Sequence, residues 1–280
     1  MAFSNSGSTY NTNALPGFLQ GIGQASIYDV DANAKFAVGS GFKRADGNIY
    51  RYCNFITATT QGLLVSHVVA DVDTKYSQPP IIAGSSATQQ PTEQVGVYPG
   101  AIGSKYVLTT GSSTVKDQWA GGYLVINSTA GTGYTYRIKG NTAVATINGV
   151  ANTVIIELYE PLVVALTASS YVSIIGSLYS DVKASTAATD YISIGVTQAN
   201  MTANTYGWVC THGVTGVLVD GTMTIGCMAQ KSLVTAGAVA QYGVGTTSNA
   251  SNTLFVSQPL GWCIDPATST AYGVIYLQVE

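Results

Sequence analysis

The feature that most constrains this chain is its cadence. Short runs rich in Val, Ile, Thr and Tyr, such as Lys105-Tyr106-Val107-Leu108-Thr109, Gly122-Tyr123-Leu124-Val125-Ile126, Tyr134-Thr135-Tyr136-Arg137-Ile138 and Asn152-Thr153-Val154-Ile155-Ile156-Glu157-Leu158, alternate with turn-forming residues. Branched and aromatic side chains fit a pleated, half-buried surface, and many such runs bounded by turns predict short antiparallel strands. The expected fold is all-β, built of β-sandwich or β-barrel domains with little helix. Ala165–Ser170 is the one segment that reads equally well as a helical turn, and the stretch from Gln230 to Ala240 is interrupted by Gly237.

Local turn chemistry places several of these strands. Phe42-Lys43-Arg44 enters Asp46-Gly47 and returns through Ile49-Tyr50-Arg51-Tyr52, a hairpin with the two tyrosines on one face and Ile49 and Arg51 on the other. Gly131-Thr132-Gly133 supplies a tight reversal. Residues 191–280 form the most coherent block: Ile192–Val196, Tyr206–Gly213, a predicted strand pair around Asp220-Gly221, and a second pair, Leu260–Ile264 with Tyr272–Val279, joined across 265–270. This block is expected to be a small C-terminal β-barrel. Residues 36–190 read as a β-rich domain, with a long surface loop or soft boundary near 71–100 marked by Pro79, Pro80, Pro91 and Pro99. Residues 1–35 are polar and rich in Gly, Asn and Ser, with Phe3, Leu15, Phe18, Leu19 and Ile22 as apolar anchors; they read as an extended arm that orders on a neighbour or, equally, as a mobile terminus.

Charge narrows the function. Charged residues make up 9% of the chain, against roughly 25% in ordinary soluble domains. The surface must be solvated by neutral polar groups, which repel neighbouring copies weakly and so favour packing into an assembly. The eleven Lys and Arg are scattered and the net charge is −3, so no nucleic-acid partner is expected. No apolar run approaches the roughly 18 residues of a spanning helix, so no membrane partner is expected either. The opening residues lack a basic and apolar leader, which points to synthesis in the cytoplasm. Cys53, Cys210, Cys227 and Cys263 are dispersed in apolar context and are expected to remain thiols in such a compartment.

Catalytic machinery is sparse. His67 and His212 are the only histidines. Cys210-Thr211-His212 could place Cys210 and His212 on one strand face as half of a metal site, but no second pair matches it. No nucleophile elbow is present. The nearest carboxylate couples, Asp71 with Asp73 and Glu157 with Glu160, read as solvated groups. No catalytic residue, metal site or cofactor is therefore expected. Among the tryptophans, Trp208 and Trp262 read as core, while Trp119, beside Lys116, Asp117 and Gln118, reads as exposed.

The glycine and aromatic spacing of Ile194-Gly195-Val196, Tyr206-Gly207-Trp208-Val209, Gly226-Cys227-Met228, Leu260-Gly261-Trp262 and the strand Val274–Val279 resembles the β-barrel of head decoration (cement) proteins of tailed bacteriophages. Gly121-Gly122-Tyr123-Leu124 and Gly131–Ile138 are similar to virion structural proteins of marine phages. The resemblance implies a non-enzymatic protein on the outer capsid surface of the virion, bound to the major capsid protein and assembled as a homo-oligomer, with trimers favoured. Phe3, Leu15, Phe18, Leu19, Ile22 and Trp119 are then the candidate capsid or oligomer contacts. The alternative is a receptor-binding tail or fibre protein that recognises a host glycan through exposed Tyr and Trp; the absence of a fixed shaft repeat speaks against it.

Overall fold

The computed structural model describes residues 26–67, 99–111, 113–147, 150–167, 169–186, 192–242 and 258–280. Among these residues the chain is all-β, with no helix. In chain order the strands are β1 (Val30–Asp31), β2 (Gly41–Lys43), β3 (Ile49–Phe55), β4 (Leu64–His67), β5 (Tyr106–Thr110), β6 (Tyr123–Ser128), β7 (Thr135–Asn141), β8 (Ala145–Ile147), β9 (Val150–Leu158) and β10 (Tyr171–Ile175). They continue with β11 (Val182–Ala184), β12 (Ser193–Thr197), β13 (Thr205–Leu218), β14 (Met228–Lys231), β15 (Val239–Gln241), β16 (Pro259–Asp265) and β17 (Tyr272–Gln278).

The chain divides into two compact units, and not at residue 190. The described part of the first unit joins residues 26–67 to residues 178–280, and that of the second is the intervening 99–177. The expected boundary is corrected by long-range pairing: β3 lies antiparallel to β13, from Ile49 opposite His212 to Phe55 opposite Thr205. The expected arm is shortened by the same chemistry. Residues 26–36 belong to the first unit, with Ile27 and Phe36 buried and β1 paired to β13 through Val30 and Gly207. The arm residues Phe3, Leu15, Phe18, Leu19 and Ile22, and the Pro-containing loop up to residue 98, lie outside the described residues.

In the first unit, β13, β12, β4, β11 and β3 pair in that order, and β3 returns to β13 to close a five-stranded barrel. All pairings in the ring are antiparallel except β11 with β3. Closure removes unpaired edges, which suits a chain with few charges to guard them. All five strands contribute to one apolar cluster of Cys53, Phe55, Val65, Val182, Ile194 and Val209. The alternate residues Tyr50, Tyr52, Trp208 and Cys210 face the other way, into a larger cluster that takes in Phe36 and the sheet extension β17–β16–β14–β15. Within it Trp208 lies 5.1 Å from Tyr52 and 5.4 Å from Phe36, ring centre to ring centre. The predicted pair around Asp220-Gly221 does not form, because β13 takes β17 as its partner from His212 to Leu218.

The second unit is one antiparallel sheet in the order β10–β6–β7–β9–β5, with β8 on β9. Its core is Val107, Trp119, Leu124, Ile126, Ile138, Val154, Ile156, Leu158 and their neighbours. Trp119 is 2% exposed, which overturns its reading as a surface contact. Its polar flanks mislead because they form a tight turn that is tied to the end of β7: Asp117 N–H donates to Asn141 O at 2.8 Å, and Trp119 N–H to Asn141 Oδ1 at 2.8 Å. The indole is thereby turned onto the sheet. The ambiguous Ala165–Ser170 segment contains no helix among its described residues.

Candidate functional site

The longest strand, β13, builds the site. From residue 212 onward, Gly213, Thr215 and Val217 are buried and their alternates point outward. Register with β17 sets His212 opposite Gln278, Val214 opposite Tyr276, Gly216 opposite Val274 and Leu218 opposite Tyr272. One strand further, Trp262 lies opposite Tyr276. The outward face of an antiparallel sheet is ordinarily polar. Here Val214, Trp262 and Tyr272 are 49%, 44% and 55% exposed, and Ile264 beside them is also exposed. A contiguous apolar patch of this kind marks a contact surface more often than a tolerated exposure.

Polar edges hold the rings in place. Trp262 Nε1 donates to Gln278 Oε1 at 3.2 Å, and Tyr276 OH and His212 Nε2 are hydrogen-bonded at 3.0 Å. His212 Nδ1 lies 3.1 Å from Glu280 O. The Glu280 carboxylate is gripped by Arg51, through Nε at 3.0 Å and through Nη2, and by the Thr211 hydroxyl at 2.7 Å. Burial alone would raise this carboxyl, but the Arg51 and Thr211 hydrogen bonds and the Arg51 charge outweigh it, and Glu280 lies below its ordinary range.

A groove of about 290 Å³ opens beside Tyr272, lined also by Gln61, Gly62, Thr197, Gln198 and Gly216. Two glycines shape it. Gly62 has φ +74°, and a Cβ there would stand 2.5 Å from Tyr272 Cε1, so the ring rests directly on its backbone. Gly216 leaves open space, since a Cβ there would meet only Gly273 O at 3.9 Å. The Tyr272 hydroxyl donates to Gln61 O at 3.4 Å, and the Gln198 amide donates to Val196 O and Thr215 Oγ1. The lining holds no ionisable acid or base other than the tyrosine, so it suits a neutral, hydroxyl-bearing guest and gives no counter-charge to an ion.

Other residues singled out from sequence fall elsewhere. Cys210 and His212 do not share a face, because the register with β3 shifts between them: Cys210 is buried and His212 turns to Tyr276. Burial pushes the Cys210 thiol up to about 12. Glu157 is ion-paired with Lys139 at 2.6 Å, and Asp71 and Asp73 lie outside the described residues. His67 is buried with Nδ1 2.8 Å from Ser180 O; burial raises the nearby Asp181 carboxyl, with His67 opposing. No hydroxyl among the described residues is hydrogen-bonded to that imidazole. No group of three potential metal ligands occurs among the described residues.

Sequence reading misses Trp262, assigned above to the core. The signal is present in the hairpin itself: in Tyr272–Val279 the set ending in Gln278 is the outward one, and the register carries Trp262 onto that set beside Tyr276. No family model, curated protein or solved structure matches the chain.

Proposed function

We propose that this chain is a structural virion protein that binds the outside of a phage head and stabilises it, as the resemblance of its C-terminal block implies. The observation that carries the reading is the outer face of β13, β17 and β16, where Val214, Ile264, Trp262 and Tyr272 stand exposed and Asp265 is the one charged strand residue. Large aromatic side chains with a polar edge are the usual anchors of protein contacts, and their repetition over symmetry copies makes individually weak contacts collectively strong. The partner is the major capsid protein, and the assembly is a homo-oligomer with a trimer as the preferred form. Mixing the protein with undecorated heads tests the reading. Wild type is expected to saturate the heads, and Trp262→Arg, which alters an exposed side chain, to lose at least tenfold in affinity. Unchanged occupancy by the variant rejects this face as the contact.

The groove favours a second reading, a receptor-binding protein for a host glycan. Its volume lies near the lower end of the roughly 300–1,000 Å³ of small-ligand sites. The Tyr272 ring offers a flat wall for the C–H face of a sugar, and amides and hydroxyls surround it. Saturation-transfer NMR against neutral sugars checks this: signal lost in Gly216→Val, which fills the groove, supports the second reading, and no signal from any sugar removes it.

A further inference from the structure

A thiol pair that the surface contact does not use lies beside the start of β14, Cys227 just before that strand and Cys263 on β16. Thr224-Ile225-Gly226-Cys227 closes a turn, with Cys227 N–H donating to Thr224 O at 3.0 Å and Gly226 at φ +78°. Gly226 N–H donates to Cys263 O at 2.8 Å, and Cys263 N–H donates to Cys227 O at 2.9 Å. These bonds set two residues of one strand, a left-handed glycine and the residue after it, against one residue of the other, which is a glycine bulge. The bulge places the side chains of Cys227 and Cys263 on the same face of the sheet. Both lie against the same apolar cluster, Cys263 buried and Cys227 half-buried. Hydrogen-bonded neighbours on antiparallel strands stand about 5.5 Å apart at Cα, inside the roughly 4.4–6.8 Å that a disulfide spans.

We infer that Cys227 and Cys263 form an oxidative modification site, a dithiol that closes into an intramolecular disulfide and staples the β14–β15 edge to β16. Burial raises the Cys263 thiol first, and the neighbouring Cys227 thiol raises it further, in keeping with the pairing of the two backbones. The half-exposed Cys227 is the entry point for an external disulfide such as oxidised glutathione. Its thiolate attacks one sulfur of the oxidant and releases one glutathione thiolate. Cys263, after losing its proton to solvent, attacks the Cys227 sulfur of the mixed disulfide and releases the second. Two protein thiols are oxidised and one glutathione disulfide is reduced to two thiols. Cys53 and Cys210 are buried thiols that burial holds well above their ordinary range, and they stay reduced.

The test uses the full-length reduced protein, incubated with oxidised glutathione, alkylated, and read by intact mass and peptide mapping, with a parallel thermal melt. The expected product has lost two hydrogens, shows a Cys227–Cys263 linked peptide, and melts roughly 5–10 °C higher. Cys227→Ser, a conservative change at a half-buried position, removes both the link and the shift in Tm. The inference is overturned if both cysteines remain open to alkylation after oxidation, if the link joins other cysteines or two chains, or if Cys227→Ser retains the rise in Tm. None of these outcomes bears on head binding, so the two readings stand or fall separately.

Discussion

At the scale of single residues, two tryptophans separate folding from contact. Trp119 fills the core of the second unit, so Trp119→Ala should cost about 3–5 kcal/mol, read from urea denaturation. Trp262→Ala removes a half-exposed ring and should cost about 1 kcal/mol or less in the same assay. Equal costs would contradict the assignment of one to the core and the other to the surface. Glu280 sets an acid limit. Its carboxyl is lowered in the folded state, so its contribution is complete above the ordinary carboxylate range and is lost as pH falls through the depressed value. Stability measured against pH should fall more shallowly on that acid limb in Glu280→Gln than in wild type. Asp181 carries the opposite sign. Burial raises its carboxyl, so it weighs against the fold once pH rises through its ordinary range, and Asp181→Asn should raise the urea midpoint at neutral pH.

At the scale of elements, short-range pairings are legible in the sequence and long-range ones are not. The hairpin Phe42 to Tyr52 is written in Asp46-Gly47, and the register Phe42 opposite Tyr50 follows from it. The β16–β17 hairpin is equally local. The pairing of β3 with β13, which closes the barrel, joins residues more than a hundred positions apart and leaves no local mark; hence the boundary drawn at 190. Asp220-Gly221 misleads because a turn dipeptide does not name its partner: Asp220 N–H donates to Val239 O, and β13 has already been taken by β17. Of the candidate site, only the aromatic richness is visible beforehand, since which ring faces outward depends on strand register. β1 is fastened by one buried carboxylate: Tyr52 OH donates to Asp31 Oδ2 at 2.8 Å, and Lys35 Nζ reaches Asp31 Oδ1 at 2.5 Å. Tyr52→Phe leaves Asp31 with one partner fewer and should cost about 1–3 kcal/mol, with faster amide exchange at Val30 and Asp31.

At the scale of the whole molecule, the proposed role rests on composition and fold together. A closed five-stranded ring and a largely apolar sheet face suit the proposed contact role, and among the described residues Asp31, Arg51, Lys139, Glu157 and Glu280 are engaged in ion pairs. The second unit has its own core, so residues 99–177 expressed alone should unfold cooperatively in urea; a featureless coil would contradict that division. The most direct test of the proposed structural role is a side-chain-resolution reconstruction of the mature particle made by the phage that encodes the chain under that proposal. The account predicts density for it on the outer surface of the head, with Trp262 and Tyr272 against a neighbouring subunit. Its absence from the head, together with rapid hydrolysis of a sugar or peptide by the purified protein, would contradict the account.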